Sequence, residues 1–229
     1  LWTRAAAVVV YLSLISLHHR NVAILNGGDS VMMVMSVYLL LAPSGAACSL
    51  DRLRRVLRGE EGDVPPRIAP WVYRLMQLQI AILYLTTFLI KVSGDKWQSG
   101  TAIYYAIHVP EMGRFPVLWM DADHLLFVNL LTYIAMATEL ALATLVWVPR
   151  LRLYVLAMGV LLHLGIEYSM NIPLFSALMI SGYALFLTEG DVQTALAWLR
   201  ERRAGARLRL VYDSASPFSR TAARVVYFL

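Results

Sequence analysis

Besides Arg4, which interrupts the first of them, five ionisable side chains stand inside apolar stretches of this 229-residue chain: Arg74, Lys91, Glu139, His163 and Glu167. An ionisable group in hydrocarbon costs at least about 2.5 kcal/mol on insertion scales, so each marks a candidate site. Arg74, Gln77, Tyr84, Thr87 and Lys91 follow one another at intervals of 3, 7, 3 and 4. At 100° per residue they fall within an arc of roughly 140°, a polar stripe that must look toward protein or water. Lys91 ends the stripe just before the loop SGDKWQSGTAIYYA. A partly desolvated lysine there could serve as a general base; the alternative is that it snorkels to the interface.

His163 and Glu167 are four residues apart and share a helix face, while Glu139 lies in the middle of its own apolar stretch. The three could relay protons or balance Lys91 or Arg74; they could equally join helices by hydrogen bonds without any chemistry. No metal is expected, because HLGIE is not HExxH and His18 and His19 are adjacent rather than four apart. The loop Asn26–Asp29, NGGD, reads either as a nest for a ligand oxygen or as a turn capping the next helix through Asp29 or Ser30.

The elements that must position these groups follow from composition. With 59% apolar residues, only 15% charged and a mean hydropathy of +0.60, the chain departs from the roughly 25% charge of a soluble domain. Cys48 is the only cysteine, which excludes a disulfide scaffold. Six apolar stretches, Leu1–Leu17, Val31–Leu50, Pro70–Val92, Leu125–Val148, Leu153–Met170 and Pro173–Leu187, predict about six crossings of a membrane and an all-α, polytopic helical bundle.

The net charge of +5 could suggest nucleic acid, but the basic residues sort by membrane side instead. Six crossings put 15 of the 20 Lys and Arg with both termini and three (Arg20, Lys96, Arg114) opposite, leaving Arg74 and Lys91 within a crossing. That imbalance predicts cytoplasmic termini and no nucleic-acid partner. The long connector 93–124 carries Trp97, Tyr104, Tyr105 and Trp119, and its length predicts a functional or re-entrant segment. Its aromatics are also what an interfacial belt would use.

The chain begins without Met inside an apolar run, which predicts sequence upstream of it. Beyond Glu189, Asp191–Arg203 reads as a cytoplasmic amphipathic helix, and Leu208–Tyr212 as a strand opening another domain. The expected organisation is a membrane domain over 1–188, a linker helix over 189–207 and the start of an α/β domain over 208–229.

RNVAILNGGD, YLLLAPSGAACSLDRLRR, QLQIAILYLTTFLIKVSGDKWQSGTAIYYA and LLHLGIEYSMNIPLFS with YALFL resemble the HTTM family, bacterial membrane relatives of vitamin K-dependent gamma-carboxylase. The resemblance runs from about Arg20 to Leu187. It is sharpest in Lys91, Gly94, Trp97, Gly100, Thr101 and Ala102, and in the apolar helix bearing His163. It implies that Lys91 matches the base that deprotonates a reduced quinone of the vitamin K or menaquinol type, on the non-cytoplasmic side. The loops here are too short to form the large luminal part by which the carboxylase grips its peptide. LRLVYDSASPFSRTAARVV similarly resembles the opening of DCC-family thioredoxin-like domains, with Ser216 and Ser219 where the two cysteines stand. Serine hydroxyls cannot exchange disulfides.

The resulting expectation is a multipass protein of a bacterial inner membrane that deprotonates and oxygenates a reduced quinone. Lys91 is the base, Glu139 and His163 tune or relay protons, and Asn26, Asp29, Tyr84, Trp97 and Tyr104 bind the quinone. Its partners would be membrane lipid, the quinone, and a peptide or small co-substrate on the non-cytoplasmic side. Two rival readings are a scaffold for the thioredoxin-like domain and a transporter whose polar stripe lines a pathway.

Overall fold

The computed structural model describes residues 2–21, 25–47, 49–62, 64, 66–118 and 120–202. The segment expected to open a thioredoxin-like domain, with Ser216 and Ser219, lies outside the described residues, as do Cys48 and Trp119. The described residues form α1 (Trp2–Arg20), α2 (Gly27–Leu41), α3 (Leu50–Leu57), α4 (Trp71–Val92), α5 (Asp95–Gln98), α6 (Ala102–Ile107), α7 (Leu125–Thr144), α8 (Arg152–Ser169), α9 (Phe175–Tyr183) and α10 (Glu189–Arg202), with no strand among them.

The chain divides into two compact units, residues 1–22, 33–72 and 187–229 in one, and 23–32 and 73–186 in the other. In the first, Ser49 caps α3 by accepting from the Arg52 amide at 3.0 Å. The Asp51 carboxylate accepts from both the amide and the hydroxyl of Thr3 at 2.8 Å, which ties α3 to the start of α1. Arg52 is buried and donates to the Gly62 carbonyl at 3.0 Å.

The second unit is built on α4, α7, α8 and α9. The outward residues of α4 are Leu75, Leu78, Ile82, Leu85 and Leu89, all exposed, while Gln77 and Tyr84 are buried. A soluble helix is arranged the other way round. Polar groups turned inward and leucines outward is the arrangement hydrocarbon requires, because only protein can satisfy a hydrogen bond there.

Helices occupy all six expected stretches, but among the described residues two rather than six are long and apolar enough to cross a membrane: Trp71–Val92, and α7 continued by a 3-10 turn to Trp147. The structure corrects the other four. Gly27–Leu41 has 15 residues, about 22 Å of helix against a hydrocarbon core of about 30 Å, because the chain turns at Ala42–Ala46 around Pro43. Phe175–Phe186 is likewise a shorter apolar helix. Arg4 with His18, His19 and Arg20 in α1, and Arg152, His163 and Glu167 in α8, dilute the hydropathy of the two longer helices.

The connector 93–124 is folded. After α4 the chain turns at Gly94, makes α5, turns again at Gly100 (φ +74°), and lays α6 along the first turns of α7. The Tyr133 hydroxyl donates to the Gln98 carbonyl at 2.7 Å. A Cβ on Gly100 would stand 2.9 Å from Asn129 Oδ1, so both the positive φ and the close approach require glycine.

Candidate functional site

Lys91, on the last turn of α4, forms an ion pair with Glu139 of α7. The turn that follows explains the spacing of the motif around it. Gly94 N donates to Lys91 O, Trp97 N to Gly94 O, and Gly100 N to Trp97 O at 3.2 Å, so α5 folds back over the end of α4. Trp97 then presents its indole to Lys91 Nζ, 4.5 Å from the ring centroid. A Cβ at position 94 would meet the Trp97 ring at 3.2 Å, so a glycine keeps the turn tight enough for this contact. Carboxylate and indole together hold the ammonium head. Glu139 Oε1 is used in the ion pair, whereas Oε2 is buried with no hydrogen-bond partner among the described residues.

This pair lies at one end of a cavity of about 510 Å3 lined by α6, α7, α8, Val117 and Met120. The wall is otherwise overwhelmingly apolar, with Leu131, Ile134, Leu162, Ile166 and Met170 among its side chains. The volume is that of an ordinary small-molecule site, and a few polar groups converging on one end of an apolar pocket is what such sites have in common.

A second polar cluster lies on the same face of α4, two turns before Lys91. The Tyr84 hydroxyl stands 2.8 Å from His163 Nε2 and 2.5 Å from the Tyr183 hydroxyl, and Tyr84 and His163 are each only 2% exposed. Tyr84 has one proton, so it donates to one neighbour and accepts from the other. Tyr183 reaches it across Gly159, where a Cβ would come within 2.7 Å of the phenolic oxygen. None of these three lines the cavity.

The structure therefore brings Lys91, Glu139 and Trp97 together at the cavity, and Tyr84 with His163 beside them. It does not bring the remaining expected residues there. Asn26 Oδ1 accepts from Gly28 N and Asp29 Oδ2 accepts from Asn26 N, both at 2.7 Å, so NGGD caps α2. The cap is centred on Asn26, one turn before the Asp29 or Ser30 that the sequence suggests. Tyr104 packs against Tyr105 and His108, with ring centroids 5.4 and 4.3 Å away, and does not line the cavity. Glu167 pairs with Arg114, and Arg74 donates to Gln77 at 3.0 Å, so neither serves Lys91.

Tyr183 is the residue that sequence reasoning passed over. The available signal was a tyrosine inside ISGYALF, since a phenol in an apolar stretch has to find a partner.

Residues 5–190 match the HTTM domain, most of the chain. The chain belongs to the HTTM family. With the two apolar helices, membership points to a membrane protein. The HTTM chain is 25% identical over 179 residues to the sporulation-delaying protein SdpB of Bacillus subtilis (strain 168), a match that covers 76% of this chain and 55% of the relative. It thus spans about half the length of that curated relative. No solved structure matches it.

Proposed function

We propose that this HTTM protein binds a reduced quinone with its hydroxylated head against Lys91 and removes a proton from it, as a first step toward oxygenation. The observation that supports the reading is the Lys91–Glu139 pair closing one end of an apolar cavity. An apolar ring system suits the walls, and an acidic hydroxyl suits the one polar end.

Residues of this chain would divide the work. The Lys91 ammonium, held by Glu139 and Trp97, first passes a proton to the carboxylate across the hydrogen bond that already joins them. The free amine at Nζ then takes the proton of the bound hydroxyl and becomes ammonium again, beside the negative charge it has created. Glu139 keeps the first proton, so charge and protons balance. The buried His163 and Tyr84 hold the electrostatic surroundings of the pair fixed through this exchange. Once deprotonated, a quinol reacts with dioxygen, which would be the co-substrate. The location proposed is a bacterial inner membrane with both ends of this segment cytoplasmic, supported by the distribution of Lys and Arg.

The test is anaerobic. Reduced menaquinone added to the native protein in lipid nanodiscs should show the absorption band of its anion, and Lys91→Ala should abolish that band while quinol binding persists. An unchanged anion band in Lys91→Ala would remove Lys91 from the role of base.

A further inference from the structure

The cavity is an elongated slot. Along α7 its lining runs from Leu131 to Glu139, eight residues or about 12 Å of helix rise, and along α8 from Met158 to Met170, about 18 Å. The two helices are consecutive and joined by the short stretch 145–151, so they run antiparallel. Met158 is then level with Glu139, and Leu161 level with Ile134.

Five of these lining residues also belong to the outer surface: Leu161 is 69% exposed, Tyr168 53%, Ile134 44% and Met158 40%, and Gly165 is exposed as well. On α8 the exposed series Tyr154, Met158, Leu161, Leu164 and Tyr168 advances at helical intervals, and on α7 so does Leu126, Leu130, Ile134. These are outward apolar faces of the kind that hydrocarbon covers. The slot accordingly breaks the surface along the α7–α8 seam, among apolar side chains. At the other end of the slot, residues 112–118 are tied to the end of α8. Arg114 N donates to the Ser169 carbonyl at 3.1 Å, Asn171 N to the Met112 carbonyl at 2.7 Å, and Arg114 pairs with Glu167.

We infer that the seam between Ile134 and Leu161 is a lateral portal, and that the ligand is a membrane-borne amphiphile whose polyprenyl or alkyl chain leaves the slot there into the bilayer while its polar head rests on Lys91 and Glu139. The inference rests on the quinone reading for the head and adds the chain and its route. A chain occupant fits because the opening carries no polar group that a peptide backbone or a hydrophilic solute would need. A ligand drawn from lipid also never has to cross water.

The test compares 2-methyl-1,4-naphthoquinone with the same ring carrying a polyprenyl chain. Both are titrated against the protein in lipid nanodiscs by quenching of tryptophan fluorescence, with dissociation constants expressed per membrane lipid. The native protein should hold the chain-bearing compound about tenfold or more tightly. Leu161→Trp, and Ile134→Trp as an independent second variant, should erase that preference. Equal affinity for the two compounds, or a preference that survives both substitutions, would overturn the portal while leaving the site at Lys91 standing. If neither compound binds the native protein, the quinone reading fails and takes the portal with it. Efficient crosslinking of Leu161→Cys, in a Cys48→Ser background, to a polypeptide segment would show that another helix covers the seam, and would also overturn the inference.

Discussion

Lys91 and Glu139 are 48 residues apart in sequence, yet they meet as an ion pair beside the indole of Trp97, with one carboxylate oxygen left without a hydrogen-bond partner among the described residues. Removing one member of a buried pair leaves the other charge uncompensated, whereas replacing both with apolar groups can be neutral or better. Lys91→Met alone, which strands the buried Glu139 carboxylate, should destabilise the protein by roughly 3–5 kcal/mol, Glu139→Leu by less because the Lys91 side chain is 23% exposed, and the double variant should recover most of the loss. Thermal unfolding of the four proteins in one detergent checks this. Additive losses in the double variant would mean that the two side chains act independently.

Tyr84 presents a single hydroxyl to two buried partners. Tyr84→Phe preserves the ring packing but strands His163 Nε2 and the Tyr183 hydroxyl, at a cost of about 1–3 kcal/mol for a buried polar group left unmade. Tyr183→Phe should cost less, because Tyr84 can then donate to His163 undisturbed. Equal melting temperatures for both variants and the native protein would contradict the hydrogen-bonded arrangement.

Gly100 holds a positive φ and lies against Asn129 of α7. Gly100→Ala meets both obstacles at once and should cost at least 1–2 kcal/mol, the usual penalty for the left-handed region. Because α6 rests on this contact, proteolysis between 93 and 124 should speed up in the variant. An unaltered digestion pattern would show that the connector docks without it.

Asp51 lies outside the apolar spans and answers to pH. The Thr3 amide, and after it the Thr3 hydroxyl, hold its carboxyl down to about 2 from the ordinary 3.8. A depressed folded-state value means that the tie between α1 and α3 is fully present above about pH 4 and is lost as pH falls through about 2. Thr3→Val removes the hydroxyl alone. It should narrow the difference between unfolding at pH 5 and at pH 2.5, and an unchanged difference would count against the contact.

Much of the site could be read from the sequence because one helix carries it. The spacing of Gln77, Tyr84 and Lys91 placed them on a single inward face, and all three make inward contacts. Pairing between helices was not legible in the same way. Glu139 and Glu167 were equal candidates as counter-ion, and only the packing of α7 against the end of α4 decides for Glu139. Tyr183 depends on Gly159, on a different helix, letting it approach. The number of spans was overestimated because apolar composition does not register the turn at Pro43 that stops α2, nor the brevity of α9. NGGD offered the same atoms to a ligand or to its own amides, and the local amides are two or three residues away.

The central claim concerns Lys91 as a base, and a turnover measurement tests it most directly. Reduced menaquinone is bound anaerobically, dioxygen is admitted, and quinone epoxide is scored by mass spectrometry for the native protein, Lys91→Ala and the folded Lys91→Met/Glu139→Leu variant. The account predicts epoxide from the native protein and background from both variants. Native levels of epoxide from either variant, or none from a native protein that binds the quinol, would contradict it.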